Sequence, residues 1–271
     1  MADVLTHVFS TFIAKGGQVN HVSGTLSSTC SALVVGESTM SRSVLLLAAL
    51  IAASRRGMKV VFFTRTQIQT LPLSVTSCLP NLSPDSLKMI KFCYPRTLEE
   101  LLLQVASLHE PENTSSTAPS LIIVDRLQNF LCGPGGGGGF HQGEQSCAAH
   151  LSALLLDTTA FLTKVLERRA PWLAPCRLLA SFQPECEVGP ADPGSSHPML
   201  AVLEVLDRYF TARCALDRDE SYAAVAAGLE DVWRVDLSGA GPMDPSDRAD
   251  CTSQEWQLVV FTNGSMEFRS V

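Results

Sequence analysis

One segment near the start of the chain restricts its fold more than any other. Residues 34–50, VVGESTMSRSVLLLAAL, join a short apolar run to a longer one through a turn of small and polar residues. This order predicts a buried strand, a tight turn and an apolar helix. Ser43 follows Gly36 by seven positions, which is the spacing of the phosphate-binding loop G-x-x-x-x-G-K-[ST]. The segment therefore indicates an α/β fold in which this turn faces a ligand.

The turn keeps part of the motif and changes two of its positions. In such a loop, backbone N–H groups at a helix N-terminus surround the phosphates, a lysine bridges their outer oxygens, and a Ser or Thr hydroxyl holds magnesium. Here Ser41 replaces the second glycine and Arg42 replaces the lysine. A Cβ opposes the dihedrals that glycine permits, and a planar guanidinium differs in shape from an ammonium group. A Gly-Ser-rich turn without any ligand is the alternative.

ATP with Mg²⁺ is the cofactor that this turn predicts, with Ser43 as one magnesium ligand. The residues predicted to surround the phosphates are Gly36, Glu37, Ser38, Thr39, Met40, Ser41, Arg42 and Ser43.

Apolar periodicity predicts further strands and helices in alternation. Strands are predicted at 32–35, 59–64, 89–93, 120–124 and 177–182, and helices at 43–55, 98–108, 148–169 and 199–210. Continuous apolar strands between helices indicate a mostly parallel sheet with helices on both faces. Within residues 255–268, Asn263-Gly264 separates two alternating segments and predicts a C-terminal β-hairpin.

Two polar residues directly follow predicted parallel strands. Asp125 ends SLIIVD and Gln183 ends RLLASFQ, so both are expected at the carboxyl edge of the sheet, where ligands bind. Asp125 is the predicted second magnesium ligand and Gln183 a predicted catalytic residue; a turn cap and a polar strand end are the alternatives. KVVFFTRTQ offers Thr64 and Arg65 where a water-polarising carboxylate is common. Glu37 is the predicted substitute base, and hydrolysis is expected to be slow or absent.

The chain is expected to form one main domain. Its 271 residues and 46% hydrophobic composition are sufficient for a full core. Residues 1–30 are predicted as a helix, over 1–15, and a linker; residues 31–271 are predicted as the main domain, with a mobile linker at 238–254. The apolar run 44–53 is too short to cross a membrane, and the cysteine and histidine spacings suggest neither disulfides nor zinc.

The charge is distributed unevenly along the chain. Residues 1–184 carry 14 Lys and Arg against 11 Asp and Glu, whereas residues 185–271 carry 6 against 16. If the protein binds nucleic acid, the first part is the expected face, because the second part repels phosphates. A solvated acidic region on a neutral domain is the alternative.

Five stretches together resemble a known family. They are IKFCYPRTLEELLLQVASLHE, LIIVDRLQNFL, LLLDTTAFL, LDRYFTARCAL and EWQLVVFTNGSMEF. With the phosphate loop they follow the order of the RecA-like recombinase core. Within that family they resemble the SWIM-type zinc-finger-associated proteins, the recombinase-paralogue-like ATPases of the vertebrate Shu complex. The resemblance covers residues 34–268, except 219–252.

The resemblance implies a nuclear factor of homologous recombination repair. Such a protein has an ATPase core, binds single-stranded DNA and a SWIM-type zinc-finger partner, and supports filaments of recombinase and recombinase paralogues. The resemblance aligns the Gly-Lys-Thr of the family's phosphate loop with Ser41, Arg42 and Ser43, and the acidic residue of the family's acidic strand with Asp125. The departures at Ser41 and Arg42 affect hydrolysis; DNA and partner binding need not use this loop.

The family also predicts where DNA would bind. In RecA-like proteins the loops after the acidic strand and after the Gln strand face DNA, which places them here at 126–147 and 184–198. Because neither loop is basic, we expect DNA on another basic surface, although these charges are equally compatible with solvated edges. The candidate residues are Arg55, Arg56, Lys59, Lys88, Lys91 and Arg96.

Three functions compete at this point. The first is an accessory DNA-repair factor, and the second is a pseudo-ATPase scaffold that acts only through protein contacts. The third is a small-molecule kinase. A kinase would need an arginine lid, which the acidic, proline-rich stretch after Gln183 does not supply.

Partner contacts are predicted on apolar surface, with core packing as the alternative for Trp256. The candidates are Val8, Phe12 and Ile13 in the N-terminal helix, and Trp256 and Phe261 in the hairpin.

Overall fold

The structure is a computed structural model of the full chain. It describes residues 5, 30–78, 83–110, 118–131, 142–184, 198–219, 231–239, 254–261 and 266–270. The predicted N-terminal helix lies outside these residues, apart from Leu5, which is helical and fully buried. Most of the two predicted DNA loops, the hairpin turn at Asn263-Gly264 and residues 240–253 also lie outside them.

Strands and helices alternate through most of the described chain. The strands are β1 (Ser31–Gly36), β2 (Val60–Phe63), β3 (Ile90–Cys93), β4 (Leu121–Val124), β5 (Arg177–Phe182), β6 (Ala212–Arg218), β7 (Asp231–Gly239), β8 (Gln254–Val260) and β9 (Met266–Ser270). The helices are α1 (Ser38–Arg56), α2 (Leu73–Cys78), α3 (Pro84–Lys88), α4 (Leu98–Ala106), α5 (Gln128–Leu131), α6 (Gln142–Arg169) and α7 (Pro198–Tyr209), with short 3₁₀ turns at Ser107–His109 and Pro171–Leu173.

The described strands form one nine-stranded sheet, in the order β3-β2-β4-β5-β1-β6-β7-β8-β9. The first six in this order run parallel, and β6 to β9 pair antiparallel. Connections from β1 and β2 run toward one edge, and connections from β3, β4 and β5 run toward the other. Because such crossovers are right-handed, this reversal puts α1 on one face and α4, α6 and α7 on the opposite face. The fold is therefore α/β, as predicted.

Helix α1 is the most deeply buried helix of the described chain. Every residue from Ser43 to Ala53 is buried, and the helix contacts β1 to β5 on one side and α2 and α3 on the other. A helix that is apolar on all sides is stable only in an interior of this kind. The burial of α1 therefore determines where its N-terminal turn, residues 38–42, meets the edge of the sheet.

The predicted strands and helices are confirmed, with differences at helix starts and near the C-terminus. α1 begins at Ser38 instead of residue 43, and α6 at Gln142 instead of residue 148. The hairpin strands are confirmed as β8 and β9. Two strands, β6 and β7, were not predicted, and Ser238 and Gly239 in β7 and Gln254 in β8 lie in strands instead of the predicted linker. In β7 the alternation of buried Trp233, Val235 and Leu237 with charged residues is the signal that identifies it.

Among the described helices, one is long and apolar enough to cross a membrane by length and composition, residues 143–169 within α6. Its side chains Leu151, Leu155, Leu162 and Leu166 are buried, and the helix contacts α4, α7 and β5. Core helices of globular proteins meet the same criteria, and this packing favours that assignment. The expectation that the protein does not associate with membranes stays a prediction.

Two described cysteines lie within the core. Burial raises the pKa of Cys176 and of Cys214 to about 12, so both thiols stay protonated at neutral pH. Both are free cysteines that fill space beside the parallel strands.

The close approach of β6 to the end of β1 requires glycine at position 36. Its φ is +155°, and a Cβ there would lie 2.5 Å from the carbonyl oxygen of Leu216 and 2.8 Å from its Cβ. We predict that Gly36→Ala lowers the free energy of unfolding by about 2–5 kcal/mol, because it combines backbone strain with a steric clash. Urea unfolding followed by circular dichroism measures this loss.

Gly57→Ala is the matched control. Gly57 ends α1 with a φ of +60°, and a Cβ there would meet no atom within 4 Å. Since a Cβ at Gly57 adds only the strain of a positive φ and no steric clash, the expected loss of unfolding free energy is about 1 kcal/mol. Equal losses in the two variants would contradict the packing of Leu216 against Gly36.

Candidate functional site

Three strand ends form the rim where the predicted site residues meet. β4, β5 and β1 are neighbours in the parallel sheet, so their carboxyl ends lie along one edge. Gly36 ends β1, Asp125 follows β4 and Gln183 follows β5. This edge also contains the point where the connections reverse direction, which is where α/β sheets form their ligand crevices. The structure therefore brings the predicted residues together.

The turn after β1 is shorter than the sequence predicts. Only Glu37 separates β1 from α1, and the N–H of Ser41 already donates to the carbonyl oxygen of Glu37 at 2.9 Å. Residues 38–42 are therefore the first turn and a half of a helix, which corrects the prediction of an open loop across them. Ser41 has no glycine-like freedom to interrupt the helix, and its side chain is buried.

The N-terminus of α1 is capped by Gln183. The Oε1 atom of Gln183 accepts hydrogen bonds from the N–H of Ser38, at 3.1 Å, and from the Ser38 hydroxyl. Helix N-termini leave N–H groups without intrahelical partners, and anions commonly bind them. Here a side-chain amide oxygen occupies part of that position. Glu37, the N-cap residue, is exposed and makes no side-chain cap bond.

Arg42 forms an ion pair with Asp125. Its Nε and Nη2 atoms donate to Oδ2 of Asp125 at 2.9 and 2.7 Å, and Nη2 also donates to the Thr64 hydroxyl at 3.1 Å. Thr64 in turn donates to the same carboxylate oxygen at 2.9 Å. The Asp125 side chain is fully buried and that of Arg42 is 21% exposed. Charge-assisted hydrogen bonds of this kind satisfy a carboxylate that water does not reach.

Asp125 has two further neighbours. The Ser181 hydroxyl donates to its Oδ1 atom at 3.4 Å, and the Nε atom of Arg126 lies 3.4 Å from its Oδ2 atom. Arg126 has a φ of +57°, uncommon for a side chain other than glycine, and its N–H donates to Ser181 at 2.8 Å. Backbone strain of this kind persists where surrounding contacts impose it, and such residues cluster at functional sites.

Gln128 is a site residue that sequence reasoning missed. It is buried at the start of α5, its Oε1 atom accepts from the N–H of Gln183 at 3.2 Å, and its Nε2 atom lies 3.5 Å from the Ser38 hydroxyl. It thereby holds Gln183 over the N-terminus of α1. A lone glutamine after a strand and turn carries no sequence signal for this position.

The arrangement does not fit a magnesium nucleotide. The guanidinium of Arg42 lies against the carboxylate that would face magnesium, and the Ser43 hydroxyl donates to the Thr39 carbonyl at 3.0 Å within α1. The Ser41 hydroxyl is buried and lacks a partner where the motif has glycine. The magnesium roles of Ser43 and Asp125, and the catalytic roles of Glu37 and Gln183, stay predictions. A metal ion at Asp125 would require Arg42 to leave the carboxylate, and a phosphate at the N–H of Ser38 would require Gln183 to move.

Comparison with known proteins identifies the family. A mouse protein named ATPase SWSAP1 is 32% identical over 236 residues, covering 87% of this chain and 71% of the mouse protein. The chain belongs to the SWSAP1 ATPase family. A human ATPase SWSAP1 is 32% identical over 188 residues, covering 69% of this chain and 71% of its own. The family resemblance inferred from the sequence is thereby confirmed, and no protein-family model matches.

The fold of this SWSAP1-family chain also has a solved relative in structure. The KaiC-like protein PH0186 from Pyrococcus horikoshii OT3 superposes with a TM-score of 0.50, covering 89% of each chain at 10% sequence identity. At this identity the likeness concerns the fold alone. It confirms the RecA/KaiC-like α/β architecture that the order of strands and motifs predicts.

The contacts of Asp125 generate a stability prediction. We expect Arg42→Ala to lower the free energy of unfolding by about 3–5 kcal/mol, because it removes two charge-assisted hydrogen bonds from a buried carboxylate and leaves only Arg126 as a cation, at 3.4 Å. The double variant R42M/D125N should lose much less, since no charge remains buried and the amide still accepts from Thr64. Urea unfolding of both variants measures the difference. Equal losses would show that the pair is not coupled.

Proposed function

We propose that this SWSAP1-family protein is an accessory factor of homologous recombination DNA repair that works without ATP hydrolysis. In this proposal it acts in the nucleus, binds single-stranded DNA and a SWIM-type zinc-finger partner, and supports recombinase filaments and recombinase paralogues. The family membership and the RecA/KaiC-like fold support the recombination role. The Arg42–Asp125 ion pair is the observation that carries the loss of hydrolysis.

Hydrolysis requires several groups that this rim uses for other contacts. A phosphoryl-transfer site positions magnesium and a water-orienting residue around the transferred phosphate. Here the acidic residue is neutralised by Arg42, and Thr64, at the end of β2, supplies a hydroxyl instead of a carboxylate. Gln183 is bonded to the helix that would bind phosphate. The rim therefore supports a RecA-like fold that is stable without nucleotide.

A second candidate is a pseudo-ATPase scaffold that acts only through protein contacts. Its support is exposed apolar surface: Trp172 is 79% exposed, Leu73 74% and Leu103 71%. They belong to three separate elements, and α2 and α4 lie on opposite faces of the sheet, so each side chain is a separate candidate contact instead of part of one contiguous patch. Trp256 is a predicted partner contact with core packing as the alternative, and its side chain is partly buried against the core. DNA binding distinguishes the two candidates.

Nucleotide binding is tested by thermal unfolding. We predict that millimolar Mg-ATP leaves the melting temperature of the wild type unchanged, because Arg42 and Gln183 occupy the site. The variant S41G/R42K restores both motif residues and should be stabilised by Mg-ATP, since a ligand that binds only the folded state stabilises it. A wild-type shift of about 2–4 °C, the size expected from about 1 kcal/mol of stabilisation by a bound ligand, would contradict the proposal.

Single-strand binding is tested by fluorescence anisotropy with a labelled oligothymidine across a salt series. We predict binding that weakens steeply as salt rises, because phosphate contacts release counterions. Co-purification with the SWIM-type zinc-finger protein tests the partner. Partner binding without any DNA binding at low salt, alone or in the complex, would favour the scaffold.

A further inference from the structure

A groove crosses the sheet near its β3 edge, away from the rim of Asp125. Two adjoining pockets of about 320 and 280 Å³ share Val61, Lys91 and Leu108 and thus form one groove. β2 and β3 form one wall, and the end of α4 with its 3₁₀ turn forms the other. Lys59 and Lys88 precede β2 and β3, so they lie at the amino end of the parallel strands, opposite Asp125. We call this the basic groove.

The charge of the basic groove contrasts with that of the chain. The chain has five lysines and a net charge of -7, yet three of the lysines, Lys59, Lys88 and Lys91, line this one groove, and no acidic residue is among its described lining residues. Lys88 bonds Asp85 at 2.9 Å, but both side chains are more than 70% exposed, and such surface pairs contribute little. Clustered cations in a cleft attract an anionic ligand.

The remaining lining has both apolar and aromatic character. Val61, Met89, Leu108 and Pro119 supply apolar surface beneath the lysines. At the other end Tyr94 is 38% exposed. A cationic groove with an aromatic side chain at its end is the combination that binds single strands, because cations contact phosphates and aromatic rings stack on bases.

We propose that the basic groove is the single-stranded nucleic acid site of this protein, with Lys59, Lys88 and Lys91 on backbone phosphates and Tyr94 on a base. The inference rests on the proposed DNA binding and assigns its location. β3 is the terminal strand of the described sheet, so a strand of nucleic acid can pass over this edge without a closed channel. None of the described residues that line the groove belongs to the Asp125 rim.

The test compares two triple variants with the same net charge. K59Q/K88Q/K91Q removes the lysines of the basic groove, whereas K164Q/R168Q/R208Q removes three exposed cations outside its lining. Circular dichroism and melting temperature establish that both variants are folded. With labelled oligothymidine, we expect the groove variant to bind at least about tenfold more weakly and its slope of log K against log salt to fall by about 2. The control variant should retain wild-type binding.

Photo-crosslinking gives a second readout that does not depend on a variant. An oligothymidine with 5-iodouracil in place of thymine is irradiated with the wild-type protein, and the crosslinked peptide is identified by mass spectrometry. We expect attachment at Tyr94. Trp172, which is 79% exposed, lies outside the groove lining and is the internal control. Attachment at Trp172 without attachment at Tyr94 would overturn the inference.

The outcomes separate this inference from the proposed function. Wild-type binding that both triple variants retain would overturn the basic groove as the site but leave DNA binding in place. No binding by the wild type would overturn DNA binding itself, and the inference with it. Loss of co-purification with a protein partner in the groove variant, with unchanged DNA binding, would show that the groove binds protein and would also overturn the inference.

Discussion

The ion pair between Arg42 and Asp125 is the interaction on which the rest of the site depends. A carboxylate with no exposed surface is costly in a protein interior unless a cation and hydrogen-bond donors satisfy it. In a phosphate-loop protein, the metal and the substrate supply part of that compensation. Here the chain supplies it through Arg42, Thr64 and Ser181. Arg42 therefore provides the positive charge next to this carboxylate, at the place where phosphate-loop proteins bind a metal ion.

The start of α1 follows the same principle. Gln183 binds the first N–H of the helix, and Gln128 holds Gln183 in place. A helix that is buried along its length has no freedom to move away from this contact. Side chains of the chain itself thus satisfy both the charged and the polar groups of the rim. The basic groove begins at the opposite, amino end of the strands with Lys59 and Lys88, and it runs along β2 and β3 to Tyr94 without using the side chains of the rim.

The sequence predicted more of the fold than of the site. Strands β1, β2, β4 and β5 are buried on both faces, so their apolar runs are unambiguous, and the same holds for the buried length of α1. β6 and β7 were missed because each combines apolar positions with charged residues, which weakens a continuous apolar signal. Gln128 was missed because its role depends on a neighbour 55 residues away along the chain. The lysines at 59, 88 and 91 were recognised only as separate charges, because three different segments contribute to the groove.

The sequence by itself determined the order of the elements, the family and the two altered positions of the phosphate loop, since these depend on local composition and spacing. Only the tertiary structure decided what the altered residues do. Arg42 and Asp125 are 83 positions apart, and they meet because β1 and β4 flank β5 in one parallel sheet. Hydrogen bonds and ion pairs have a range of a few ångströms, so a residue type shows which partners are chemically suitable, whereas the packed sheet decides which partner is near.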